Sequence, residues 1–193
     1  MKTKLLVLFV FLFASFCSRA EEPLSVDNVS RAITATKNIE KLIQQNPTWK
    51  LPEENFASFL DGNNLKKQIA QLKQTGAHQS VVNTAQAEGF KSLEDLHHVL
   101  TRTMAAVMSV EAQQQGFNYK AMLPLIEAQL TQLRGSVPEA VLVEQRKNLE
   151  QLKSVADALD GATSEDIAFA KANRAWMIEK IKENFGSSVM SFQ

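Results

Sequence analysis

Three histidines, His78, His97 and His98, are the residues best suited to metal or acid–base chemistry in this 193-residue sequence. Glu94-x-x-His97 matches half of the carboxylate site that holds two metal ions in some four-helix bundles. That site needs a second Glu-x-x-His on another helix and two further glutamates, and no second copy exists. His97 and His98 are adjacent, so on a helix they point about 100° apart and do not grip one ion together. The expectation is a half-buried boundary histidine at 97 and a solvated one at 98. No metal and no catalytic residue is assigned.

Nucleophile motifs are missing too. The sequence has no Gly-x-Ser-x-Gly, no Ser-x-x-Lys, no Cys-x-x-Cys-His and no glycine-rich phosphate loop. Thr34-Ala35-Thr36-Lys37 is a threonine cousin of Ser-x-x-Lys, set mid-helix with nothing to activate it. A glycosidase-like carboxylate pair is not readable from one sequence, because it depends on two acids facing each other across a cleft. With 21 basic and 21 acidic residues the chain lacks the basic excess of a nucleic-acid binder. The expectation is a protein without enzymatic activity and without a cofactor.

Five residues stand out as interaction or ligand contacts: Trp49, His97, Met104, Met108 and Trp176. Tryptophans anchor interfaces, and methionines adapt to varied partners. The competing reading is packing. Trp49 would plug one end of a bundle, Trp176 would lie against a neighbouring helix, and Met104 and Met108 would fill gaps among leucines.

Residues Met1 to Ala20 have the order of a secretory signal peptide: Lys2 and Lys4, the apolar run Leu5 to Phe13, then Ser18 and Ala20. Cleavage is expected after Ala20, leaving one helical domain over 21–186 and a frayed tail at 187–193. Cys17 is a poor lipidation site, because Phe16 before it is bulky. Lys2, Lys4 and Arg19 leave with the signal, so 21 basic residues fall to 18 against 21 acidic ones, a mature charge of −3. The one cysteine leaves as well, so neither disulfides nor thiol chemistry are available. No later stretch is long and apolar enough to cross a bilayer. A periplasmic or secreted protein is expected. In a eukaryote Asn28-Val29-Ser30 would be a glycosylation sequon.

The mature chain reads as helices. Val26, Val29, Ile33, Ile39 and Ile43 keep helical spacing up to Pro47, and Glu53 to Leu60 forms a short helix after Pro52. Leu65, Ile69 and Leu72 mark a further helix ending at Gly76, and Val81, Val82 and Ala85 another before Gly89. Ser92 caps a long helix whose face carries Leu93, Leu96, Leu100, Met104, Val107 and Glu111, broadened by Val99 and Met108. Asn118 caps a segment with Met122, Ile126, Leu130 and Leu133, and Pro124 inside it either kinks that helix or marks its start. From Pro138-Glu139 a narrow seam runs through Leu142, Gln145, Leu149, Leu152, Ala156 and Leu159. Ser164 caps one last helix bearing Ile167, Ala170, Met177, Ile181 and Phe185. Gly89-Phe90 and Gly116-Phe117 each pair a left-handed turn with a phenylalanine that folds back as a corner pin. The fold class is all-α, an irregular multi-helix bundle. The seam suits an internal neighbour or a second copy equally.

Ala87-Glu88-Gly89-Phe90-Lys91-Ser92-Leu93-Glu94-Asp95-Leu96 resembles a phrase in small secreted helical proteins of Gram-negative bacteria. There too a Gly-Phe-x-Ser turn leads into an acidic helix start and a long helix. The resemblance extends over about Ala87 to Phe185 and implies fold and compartment, not activity. The Leu-Thr-x-x-Gln phrase of the periplasmic stress chaperones is missing, and Leu130-Thr131-Gln132 echoes it only in part.

Three functions fit these residues. The first is a non-enzymatic periplasmic protein that binds an envelope protein or a non-native chain. The second is a carrier of a small apolar ligand, a lipid or haem, lined by His97, Met104, Met108 and phenylalanines. The third is a hydrolase with an unrecognised carboxylate pair. Intact mass spectrometry of the protein from its own periplasm should show a chain beginning at Glu21; a chain beginning at Cys17 with acyl mass would replace cleavage by lipidation.

Overall fold

The computed structural model describes residues 22–49 and 62–185, and the side chains at 62, 63, 184 and 185 are left aside. The expected signal, the expected helix at 53–60 and the tail after Gly186 lie outside these residues. Eight helices and no strand occur among the described residues: α1 Val26–Gln44, α2 Gly62–Gln74, α3 His78–Ala87, α4 Leu93–Gln114, α5 Tyr119–Gln132, α6 Glu139–Asp160, α7 Ser164–Ala172 and α8 Arg174–Phe185. The all-α expectation holds. None of these helices is long and apolar enough to cross a membrane.

The helix α4 is the axis of the fold. The other packed helices surround it: α1 and α3, α6, and α7 with α8. One apolar face was expected, yet every residue from Thr103 to Val110 is buried. Ala105, Ala106 and Ser109 complete the ring, and their small size lets neighbouring backbones come close. A helix buried on all sides needs no polar face. Its start is as expected: the Ser92 hydroxyl accepts from the Asp95 amide at 3.2 Å, and Asp95 Oδ2 accepts from the Lys91 amide at 3.0 Å.

Two apolar clusters hold α4. One joins Leu24, Val29 and Ile33 to Met104, Val107, Val110, Ala170, Met177 and Ile181. The other joins Ala32 and Ala35 to Leu72, Val81, Phe90, Leu93, Leu96 and Leu100. A third and smaller cluster, Leu130, Leu142 and Leu149, belongs to α5 and α6 alone. A buried Val, Leu or Met side chain contributes about 1.5–3 kcal/mol. The stability therefore concentrates around α4.

Several local expectations change. Val26 is 48% exposed, because α1 begins there and turns its next residues inward. The unforeseen cap is Ser25: its hydroxyl accepts from the Asn28 amide, while Asn28 Oδ1 accepts from the Ser25 amide at 2.8 Å. Asn28 Nδ2 donates to the Pro23 carbonyl at 2.9 Å, and the sequon asparagine is buried with both its amide oxygen and nitrogen hydrogen-bonded. Pro124 lies inside α5, which Asn118 caps; the helix neither starts at the proline nor stops before it. Leu133 closes α5 and is exposed. On α6 Gln145 faces solvent, and the buried members are Leu142, Leu149, Val155 and Ala156.

The last helix is two. Asn173 separates α7 from α8, and its side-chain amide donates to the Phe169 carbonyl at 3.0 Å. The cap is Thr163, one residue before the expected Ser164, and its hydroxyl accepts from the Asp166 amide. The two phenylalanine corners also differ. Both glycines are left-handed, at φ 88° and 65°, and both following amides reach back five residues, to Ala85 and Ala112. Phe90 is buried under Arg31, whose guanidinium lies 5.8 Å from the ring centre. Phe117 is 43% exposed and packs edge-on against Tyr119 instead.

One ion pair ties three parts of the chain together. Asp166 is fully buried, and Arg102 grips it with two hydrogen bonds of 2.8 and 2.6 Å. The third nitrogen of Arg102 donates to the Glu22 carbonyl at 3.0 Å, and the Leu24 amide approaches Asp166 at 3.4 Å. Nine residues along α4, Glu111 holds Arg174 in a second two-pronged pair at 2.6 and 2.7 Å. The two pairs advance in the same direction on both sides, 102 to 111 on α4 and 166 to 174 opposite, so α4 runs parallel to α7 and α8. Replacing only one partner, as in Arg102→Met or Asp166→Asn, should cost about 3–5 kcal/mol, because a buried charge loses its partner. In urea unfolding, Arg102→Met combined with Asp166→Leu should cost less than the two single changes summed.

Candidate functional site

The five residues singled out from sequence do not converge. Met104 is buried in the cluster around α1, α7 and α8, and Trp176 packs half-buried against that cluster. Met108 is buried at 3% exposure. Trp49 closes the turn after α1, where its amide donates to the Asn46 carbonyl, and it rests half-buried on the cluster of Leu72 and Leu96. His97 is half-buried and His98 exposed. Among the described residues no three His, Cys, Asp or Glu side chains come together as a metal set.

A shallow depression of ≈ 410 Å³ lies between α1 and α3. Asn38, Lys41, Leu42 and Gln45 form one wall, and Asn83, Thr84, Ala87 and Glu88 the other. It is open, its walls mix polar groups with the apolar surface of Leu42 and Ala87, and none of the five candidates lines it. Asn38 Nδ2 donates to Glu88 Oε1 at 3.1 Å, and Arg31 Nη1 reaches the Glu88 carbonyl at 3.4 Å. These bonds fasten the end of α3 to α1. The Glu40 carboxyl, on α1, is held above its ordinary range. Partial desolvation raises it, and Lys37 pulls the other way. Glu40 is not a wall of the depression, so it forms no acid pair there.

The feature that sequence reasoning missed is the hairpin of α5 and α6. Six large apolar side chains are exposed among the described residues: Val26, Phe117, Leu125, Leu133, Val141 and Val143. Only Val26 lies away from this hairpin and its base. Leu125 is the most open at 65%, then Val143 at 56%. A signal did exist. Val141-Leu142-Val143 is a three-residue apolar run on a helix with a narrow seam. With Leu142 turned inward, its neighbours point about 100° to either side and cannot both be covered.

The hairpin is antiparallel. Lys120 pairs with Asp160 near its base, and Lys153 reaches Glu127 at 2.9 Å and Glu150 at 3.1 Å. The hydrogen bonds that Lys153 donates to Glu127, then to Glu150, hold its ammonium above the usual range. Leu130, Leu142 and Leu149 pack further out, with Leu123, Ile126 and Val137 around them. Burial likewise raises the Tyr119 phenol at the foot of α5.

The chain matches no protein-family model, no curated protein and no solved structure.

Glu40 gives a pH test. A carboxyl whose folded pKa is raised favours the folded state at low pH, where it is protonated in both states. That advantage is lost as pH climbs from the ordinary carboxylate pKa through the raised one. Glu40→Gln should therefore raise the melting temperature at pH 7 and leave it unchanged near pH 3.

Proposed function

We propose that this is a non-enzymatic periplasmic protein that acts by binding, and that its partner is an envelope protein or a non-native chain that docks on the α5–α6 hairpin. The observation that carries this reading is the concentration of exposed Phe117, Leu125, Leu133, Val141 and Val143 on one projecting element. Single exposed apolar residues are ordinary on any surface; five of the six on or beside one pair of helices is what sets this element apart. Charged residues of both signs border them: Lys120, Glu127, Glu139, Arg146, Lys153 and Asp160. A rim of that kind keeps the free protein dispersed while leaving the apolar surface available.

The compartment part of the proposal draws on the N-terminal order of Lys2 and Lys4, the apolar run and Ala20. The alternative of an apolar-ligand carrier gains no support from its own candidates. Met104 and Met108 are packed into the core, and His97 is separated from the depression.

The test is a double substitution, Leu125→Asp with Val143→Asp, both at exposed positions. Wild type should suppress aggregation of a heat-denatured test enzyme or be crosslinked to envelope proteins. The double variant should lose at least about tenfold in either assay, the size expected when two anchor side chains go. Its melting temperature should stay within about 2 °C of wild type, since surface changes cost little. A wild type inactive in both assays, or a variant that keeps its activity, overturns the proposal.

A further inference from the structure

Three regions invite a role beyond the reading above: the depression between α1 and α3, the carboxyl of Glu40, and the joints at either end of α5. The joints carry an argument furthest. α5 is flanked by Gly116 and Gly135, both in the left-handed region at φ 65° and 79°. At each of them the space a Cβ would occupy has nothing within 4 Å. The contrast is Gly89, where a Cβ would meet the Arg31 guanidinium at 2.5 Å. The corner before α4 is therefore packed shut, whereas both corners of α5 stand open, as does the Gly76 corner before α3.

The packing of α5 has the same character. Among the described residues α6 is the one helix against which α5 packs extensively. Their shared cluster has three buried leucines and is separate from the two that hold α4. Around it lie the half-buried Leu123, Ile126 and Val137, and the polar links between the two helices are ion pairs with exposed members. Lys120 and Asp160 are each half or more exposed, and so is Glu127 opposite Lys153. Inside the helix, Pro124 has no N–H for the Lys120 carbonyl, which weakens the first turns of α5.

We propose that α5 is a hinged arm: it swings off α6 about Gly116 and Gly135 while the helices around α4 stay folded, and ionic strength sets how often it opens. Exposed ion pairs are screened by salt, because the distance over which charges feel each other falls from about 10 Å at 0.1 M to about 3 Å at 1 M. The interior around α4 rests on apolar clusters and on the buried Arg102–Asp166 pair, which salt screens far less. Opening bares the inner stripe of Leu123, Ile126 and Leu130 and, across from it, Leu142 and Leu149. The apolar area on offer then grows well beyond the side chains exposed at rest. This motion does not depend on whether the hairpin binds a partner, and it is read without one.

The experiment is hydrogen exchange followed by mass spectrometry on the intact mature protein at low salt and in about 1 M sodium chloride. Peptides from α5 should exchange faster than those of α4 at both salts. They should accelerate by about two- to fivefold in high salt, the range that one or two exposed ion pairs supply. Peptides from α4 and α7 should not respond. Lys120→Met with Lys153→Met should show the fast exchange already at low salt and gain little more from salt. The proposal is overturned if α5 is as protected as α4, if the salt effect spreads evenly over α4 and α7, or if the double variant exchanges like wild type.

Discussion

Asp166 sets the terms for the rest of the molecule. A carboxylate cannot be taken out of water without replacing its hydration, and here the replacement is specific. Arg102 supplies two donors in a fixed fork, one to each oxygen, and the Leu24 amide donates to Oδ1 as well. The positive end of α7, where Asp166 sits, favours the charge as well. The price of burying two charges is met only when α7, the middle of α4 and the segment before α1 are all in place. The contact spans 142 residues of sequence between Leu24 and Asp166. It fixes the height of α7 against α4, and the Glu111–Arg174 pair holds the same register nine residues further along. Leu24, Met104, Met177 and Ile181 then meet in one cluster.

From that anchor the structure loosens outward. Around α4 the polar groups that are buried are matched: Thr103 donates to the Val99 carbonyl, and Ser109 lies 3.5 Å from the Leu159 carbonyl. Beyond Leu159 the character changes. The α5–α6 hairpin relies on a few leucines and on exposed ion pairs, which contribute little individually in water. The densely packed half is built on α1, α4, α7 and α8, and the sparsely packed half is the hairpin of α5 and α6.

The fold was legible where local rules act alone. Ser92 and Asn118 read as caps, Gly76, Gly89 and Gly116 as stops, and the periodic apolar positions as helices. The errors came where tertiary contacts decide. Nothing local announces that Ala105, Ala106 and Ser109 are enclosed, because alanine and serine suit either side of a helix. Phe90 and Phe117 follow the same turn, and only Arg31, from a helix far away in sequence, makes one of them a buried pin. Arg102 and Asp166 read as two unremarkable surface charges until the helices bring them together. The exposed side of the hairpin is hidden for another reason: Leu125, Val141 and Val143 lie outside the periodic stripes, and Val141-Leu142-Val143 has more apolar width than its seam can cover.

The cap of α1 bears on how the protein is produced. Asn28 satisfies the sequence rule for N-glycosylation, yet its side-chain nitrogen is committed to the Pro23 carbonyl and its oxygen to the Ser25 amide. In a eukaryotic secretory host a transferase reaches this asparagine only before the helix forms. A sugar attached then stays, and the capping box cannot close around it. The start of α1 lies two residues from Leu24 and its neighbouring Asp166 clamp, so the glycan would sit against the central anchor. A bacterial host, or an Asn28→Asp chain that keeps the acceptor oxygen, avoids that competition between sugar and cap.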